Sequence, residues 1–297
     1  MNIFKKVLLT IGFCSLPLLA ISCKEKEEEF IESIRTETVI TTPVDSKYVQ
    51  PDELFFTYRK EGKKEYLEIE GTNSIREEIS IAPKYAGLDT VSYFSWYSDY
   101  WVVNPNVTTK KIIFPDTMEL IDGYATYQFQ NLEEIVLPKD IKYIGSFSLS
   151  TKSNIKNISL SDNNKYYKVL DNKLYDIKND RLIKAFNITD DSIYISGCKQ
   201  IGDRAFYSTN LTSIVFGEGI EEISGDSIMH NDNLASITLP SSLKNFVYSY
   251  HSMMYPDDYK RYSIFTSNSN LKTIYNYSDI ELDLSELGIE VIKMNNK

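Results

Sequence analysis

The sequence predicts a mainly β solenoid, a stack of short coils around one shared apolar interior. Three observations predict it. Lys111-Ile112-Ile113-Phe114-Pro115, Glu134-Ile135-Val136-Leu137-Pro138 and Ser236-Ile237-Thr238-Leu239-Pro240 carry one register. Pro115 and Pro138 stand 23 residues apart, and Leu211, Ile214 and Phe216 return 23 residues on as Leu234, Ile237 and Leu239. A unit of that length cannot bury its own apolar face, so neighbouring units must stack. Such repetition moves the functional expectation from catalysis toward surface interaction.

In chain order, the first element is a leader. Lys5 and Lys6 precede an apolar run from Val7 to Ile21. That run falls short of the roughly 20 residues a helix needs to span a bilayer, so it reads as a secretory signal peptide. Leu19-Ala20-Ile21-Ser22-Cys23 resembles a bacterial lipobox, with Ile and Ser where Ala and Gly are more usual. The resemblance implies cleavage after residues 1–22 and diacylation of the Cys23 thiol; an ordinary signal peptide with an incidental cysteine is the alternative.

Residues 23–48 are expected to be a disordered acidic tether. Lys24-Glu25-Lys26-Glu27-Glu28-Glu29 opens it, and Glu, Thr, Ser and Pro follow, too polar to bury a core. Acidic residues just after the acylated cysteine resemble the surface-export signal of Bacteroidetes-type lipoproteins. The whole chain has a net charge of −10, and losing Lys5 and Lys6 with the leader makes it −12. That sign argues against phosphate-driven nucleic-acid binding and against adsorption to an anionic membrane, so attachment would rest on the lipid.

A capping hairpin is expected over 49–75. Leu54-Phe55-Phe56-Thr57-Tyr58 and Tyr66-Leu67-Glu68-Ile69 flank Lys60-Glu61-Gly62-Lys63 there, and an open solenoid end needs cover. The coils occupy 76–278. Three apolar positions spaced i, i+3, i+5 recur as Thr109/Ile112/Phe114, Leu132/Ile135/Leu137 and Ile155/Ile158/Leu160. Leu211/Ile214/Phe216 and Leu234/Ile237/Leu239 form a second block, while Ile79/Ile81, Ile193/Ile195 and Leu271/Ile274 complete eight coils. The last two positions alternate as in a strand, and the following proline ends it because it cannot donate to a ladder. A second apolar pair follows, as in Ile141/Ile144 and Ile220/Ile223. Then come a glycine and an aromatic, Gly145 with Phe147 and Gly202 with Phe206, expected to stack as a spine. Insertions exceed the period near 88–106, 162–187 and 246–266, and 279–297 is expected to cap the C-terminal end.

The string Leu-x-x-Ile-x-Leu-Pro-x-x-Ile-x-x-Ile-Gly-x-x-Ala-Phe, best carried by Leu132 to Phe147 and Ile201 to Phe216, resembles the BspA-type (treponemal-type) leucine-rich repeat. Lys165 to Tyr175, followed by Arg181-Leu182-Ile183, resembles that family's β-hairpin insertion, with Asp171-Asn172 as its turn. The resemblance covers about Tyr66 to Ile274. It departs at Ser224-Gly225-Asp226-Ser227-Ile228, where Ile stands for the aromatic, and around Leu243 to Phe265. It implies a leucine-rich-repeat solenoid with one short parallel strand per coil and an irregular or short helical opposite side. Its members are commonly secreted or cell-surface proteins associated with adhesion and matrix binding.

Sites of chemistry are hard to find. His230 and His251 lack the spacing of a metal motif, and no phosphate loop, Gly-x-Ser-x-Gly or Ser-x-x-Lys string is present. Asp162-Asn163-Asn164 and Asn231-Asp232-Asn233 lack calcium-loop spacing and read as turns. Cys198 reads as a small buried filler. No cofactor, metal or catalytic residue is expected, and the chain is read as not an enzyme. Two aromatic clusters stand out. Most of their side chains should pack inward, leaving Trp96, Tyr97, Tyr100, Trp101, Tyr250, Tyr255 and Tyr259 as candidate ligand contacts.

The expectation is thus a lipid-anchored protein of the bacterial cell envelope, held at the outer membrane and displayed outward. It would act as a non-catalytic binding or adhesion module for an extracellular or host protein. The alternative is a carbohydrate-binding lipoprotein associated with glycan uptake, using its tryptophans as sugar platforms.

Overall fold

The computed structural model describes residues 36–95, 105–151, 155–247 and 264–295. The recurring isoleucines align as the period requires. Ile79, Ile112, Ile135 and Ile158 pair in register through the parallel strands Glu78–Ser80, Lys111–Ile113, Glu134–Val136 and Asn157–Ser159. In a C-terminal block this first ladder resumes as a separate sheet through Ser192–Ile195, Ser213–Phe216, Ser236–Leu239 and Thr273–Asn276, with Ile193, Ile214, Ile237 and Ile274 opposite one another. The strand Glu290–Lys293 adds a further rung, setting Val291 against Ile274. All these isoleucines are buried except Ile193, which is half-buried. Phe114 N–H still donates to Val136 O, and Leu137 N–H to Ser159 O; the prolines that follow end the ladder.

Most coils contribute a second strand, built from the second apolar pair, and these strands form a second ladder. Tyr93, Ile121 and Ile144 align through Leu88–Ser95, Leu120–Gly123 and Tyr143–Ile144. Leu182, Ile201, Ile223 and Phe246 align through Arg181–Ala185, Gln200–Ile201, Glu222–Ser224 and Asn245–Val247. At the N-terminal end, Leu54–Glu61 pairs antiparallel with Lys64–Thr72, which pairs parallel with Leu88–Ser95. Leu67 and Ile69 of that hairpin are fully buried.

The segment after Ser159 changes the architecture. Tyr167–Leu170, Lys173–Asp176 and Arg181–Ala185 form an antiparallel three-stranded meander. Asp171 and Asn172 both have positive φ, 48° and 57°, as a two-residue hairpin turn of matching twist requires. The third strand then enters the parallel ladder beside Gln200–Ile201. Because the meander takes the place of a regular coil, Asn157–Ser159 and Ser192–Ile195 belong to different sheets. The single interior expected from the sequence is therefore two. One apolar cluster runs from Val39 to Phe186 and the other from Tyr175 to Ile289.

The aromatic spine also differs from expectation. Phe147 lies two residues beyond its glycine and Phe206 four, so they occupy different columns. Phe147 stacks on Tyr124 at 5.5 Å, while Phe206 is fully buried and meets Phe216 edge-on at 6.1 Å. Arg204, not an aromatic, follows Gly202 at the spacing of Phe147.

Candidate binding surfaces

The strand pleat sends alternate residues outward, so each ladder presents rows of side chains one strand apart, roughly 4.8 Å. On the first ladder the two blocks carry different rows. In the N-terminal block the outward row is Glu78, Lys111, Glu134 and Asn157. The Lys111 ammonium lies 3.3 Å from Glu78 and 3.7 Å from Glu134. Beside it, Lys110 pairs with Glu77 and Lys156 with Glu133. The hydrogen bond from Lys110 holds the Glu77 carboxyl below its usual range and raises Lys110. This face is charged, exposed and internally paired, so a ligand covering it would gain little.

Over four strands the C-terminal block replaces those charges with hydroxyls, and Glu290 on the last rung returns a carboxylate to the end of that row. Ser192, Ser213, Ser236 and Thr273 form one outward row. Tyr194, Val215, Thr238 and Tyr275 form the next, with Tyr194 62% and Tyr275 37% exposed. The Tyr194 ring lies along the neighbouring coil, where its phenol end occupies the space a Cβ on Gly217 would need. The glycine thus seats the ring, and little rotamer freedom is left for a ligand to remove.

A small groove opens on the second ladder of the same block. Arg181, Gln200, Gly202, Asp203, Glu222, Ser224 and Val247 line it. Gln200 Nε2–H donates to Glu222 Oε2 at 2.9 Å, and Ser224 Oγ–H donates to Asp203. Burial pushes the Asp203 carboxyl up, opposed by the hydroxyls of Ser224 and Ser146 and by the charge of Arg181. Arg181 lies 3.6 Å from Asp176, yet its Nε is buried without a hydrogen-bond partner.

Buried cations occupy the seam between the two blocks. The Arg204 guanidinium carbon is 4.8 Å from the Phe147 ring centre, 4.9 Å from Tyr207 and 5.3 Å from Tyr124. Lys184, on the third strand of the meander, is 3% exposed and donates to Arg204 O at 3.4 Å. Burial, reinforced by the nearby guanidinium, lowers its amine to about 7.

Cys23, Trp96, Tyr97, Tyr100, Trp101, Tyr250, Tyr255 and Tyr259 all lie outside the described residues. Tyr93, their sequence neighbour, is fully buried in the second ladder. Cys198 is a buried free thiol, and burial pushes it up to about 11, which leaves it protonated and inert at neutral pH. Asn164 accepts from the N–H groups of Tyr166 and Tyr167 and donates to Lys139 O and Ile141 O. Asn231 donates to Phe206 O and Ile228 O. Both asparagines are thus engaged in holding turns. Tyr194, Tyr275 and the Arg181 row went unremarked in the sequence. Their signal was the residue between or beside the inward positions of each coil, read down the stack rather than along the chain.

A family profile for the BspA type leucine rich repeat region matches the chain in six copies, over residues 105–171 and 177–289. The fold is similar to the pneumococcal vaccine antigen PcpA, with 14% identity and a TM-score of 0.45, covering 77% of this chain and 81% of that one. It is similar to a leucine-rich repeat protein of Eubacterium ventriosum, with 15% identity and a TM-score of 0.45, covering 75% and 70%. A leucine rich cell surface protein of Faecalibacterium prausnitzii is similar at 12% identity and a TM-score of 0.36, covering 79% and 88%. No curated protein matches the chain by sequence.

Proposed function

We propose a binding role for this chain, which belongs to the BspA-type leucine-rich repeat family. It is a lipid-anchored protein of the bacterial cell envelope, displayed outward, that holds an extracellular protein or matrix ligand without performing chemistry. The observation that carries this reading is the first-ladder face of the C-terminal block. There a row of hydroxyls stands where the N-terminal block has paired charges, and two exposed tyrosines stand in the row that holds Ser80, Ile113, Val136 and Ser159 in the N-terminal block. Uncharged hydroxyls and tyrosines are cheaper to desolvate than ion pairs, and tyrosines supply contact area at small entropic cost.

The anchor rests on Cys23 and the apolar run before it. Among the described residues no helix is long and apolar enough to cross a membrane. Labelling cells with radioactive palmitate tests the anchor: the wild-type chain should take up label and Cys23→Ala should not. A wild-type chain without label would overturn the anchor and leave the face to be tested on its own.

A further inference from the structure

The meander ends on an open strand. Tyr167–Leu170 pairs with Lys173–Asp176 on one side and, among the described residues, with no strand on the other. Ile177 N–H donates to Tyr166 O at 2.8 Å, so those two form a hydrogen-bonded pair. By the alternation of an antiparallel ladder, so do Lys168 with Tyr175 and Leu170 with Lys173. The backbone groups of Tyr167 and Val169 therefore point away from the hairpin. Asn164 Oδ1 accepts the Tyr167 N–H, which leaves Tyr167 C=O and both groups of Val169 without a partner among the described residues. Such an edge is a template for one more strand, and its occupant is an extended peptide because only a backbone matches it group for group.

The side chains narrow the peptide. Lys165, Lys168, Lys173 and Lys178 stand on or beside this hairpin, and none has a carboxylate within ion-pair distance among the described residues. The coils before it differ: Lys139, Lys142 and Lys156 each meet a carboxylate one coil back, on Asp116, Glu119 and Glu133. Within the hairpin, Asp176 is buried and held by Arg181 and Asn179, while Asp171 lies in the turn. Lys168 and Lys173 share one face of the hairpin with Tyr166, Leu170 and Ile177, and these three apolar side chains are exposed. Lysines on an edge oppose pairing with a second copy that carries the same charge, and for the same reason they favour a strand of opposite sign.

We propose that this edge binds an extended acidic segment of a partner protein by strand addition. The segment's backbone pairs with Tyr167 and Val169, its carboxylates meet Lys168 and the neighbouring lysines, and its apolar side chains cover Tyr166 and Leu170. This edge belongs to a different sheet from Tyr194 and Tyr275, so the two surfaces stand or fail separately.

Fluorescence anisotropy of the detergent-solubilised full chain with a labelled peptide of four Val-Glu repeats tests the proposal. Binding should saturate and should weaken as salt rises from about 50 to about 300 mM. A peptide of four Val-Lys repeats should not bind, and neither should the Val-Glu peptide N-methylated throughout, which keeps the charge and loses the backbone donors. Lys168→Glu/Lys173→Glu should weaken binding about tenfold by setting like charges together. Val169→Pro, which removes the outward N–H, should weaken it comparably, both with wild-type melting temperatures. Tyr194→Ala should bind the peptide as wild type. No binding of the Val-Glu peptide, equal binding of its N-methylated form, or wild-type affinity in the lysine variant would overturn the proposal. So would a wild-type dimer in sedimentation equilibrium that Val169→Pro dissociates, because the occupant would then be a second copy.

Discussion

Arg204 lies with its guanidinium 4.8 Å from the centre of the Phe147 ring, and the two residues come from opposite sides of the meander that splits the stack. Tyr124 and Tyr207 complete a three-ring surround, at 5.3 and 4.9 Å. The seam between the two apolar clusters is therefore closed by a cation on aromatic faces rather than by an aliphatic coil.

That contact should be measurable. A desolvated cation over aromatic rings is worth about 2 kcal/mol, and truncation also leaves a void. Arg204→Ala should destabilise the chain by about 2 kcal/mol or more in urea unfolding. Arg204→Lys should recover only part of it, because an ammonium cannot lie flat on the rings. A wild-type urea midpoint for Arg204→Ala would sink this account of the seam.

Lys184 should give the stability a pH dependence of known sign. Its amine titrates at about 7 in the folded chain against 10.5 when unfolded. Between those values the unfolded state binds more protons, so stability rises with pH from about 7 upward and falls back as pH drops through 7. Below that, both states carry the charge and the contribution is flat at its minimum. Lys184→Met should remove the slope between pH 7 and 9.5 and raise stability at pH 7 by on the order of a few kcal/mol. Parallel wild-type and variant curves over that window would contradict it.

The ladder makes a simpler prediction. Ile135 is fully buried between Ile112 and Ile158, whereas Glu134 beside it faces solvent. Ile135→Ala should cost about 2–5 kcal/mol, and Glu134→Ala less than about 0.5. Comparable losses in the two variants would mean that Ile135 does not sit in the stack.

Gly145 is tight for a different reason. A Cβ there would overlap the Asp122 carboxylate, which lies across it from the preceding coil. Gly145→Ala should cost about 1–3 kcal/mol as an overpacking change. Asp122→Ala in the same chain should return part of that loss; purely additive losses would show that the two residues are not in contact.

The sequence made the first ladder legible because Ile112, Ile135 and Ile158, and again Ile214 and Ile237, recur at intervals of 23 residues within the same local pattern. The hairpin turn was legible too, since Asp171-Asn172 suits a turn with both φ positive. The division of the interior was not. Leu182 and Ile183 look like any apolar pair, and nothing local says that their strand joins Gln200–Ile201 in place of continuing the ladder from Asn157–Ser159. The burial of Lys184 and Arg204 was not legible either, because burial of a cation depends on partners brought in from elsewhere, for Arg204 the rings of Tyr124, Phe147 and Tyr207. The row of exposed tyrosines escaped notice for the same reason: Tyr194 and Tyr275 are single residues in two coils and become a surface only when the coils align.

The most direct test of the binding role compares the two first-ladder faces in one assay. Retention of the full chain on immobilised extracellular-matrix proteins would be measured for Tyr194→Ala/Tyr275→Ala and for Lys111→Ala/Lys156→Ala. The tyrosine pair should reduce retention at least about tenfold, as expected for loss of interface anchors, while the lysine pair leaves it unchanged. Retention that survives loss of both tyrosines, or collapses with the lysines alone, would contradict the assignment of the C-terminal face.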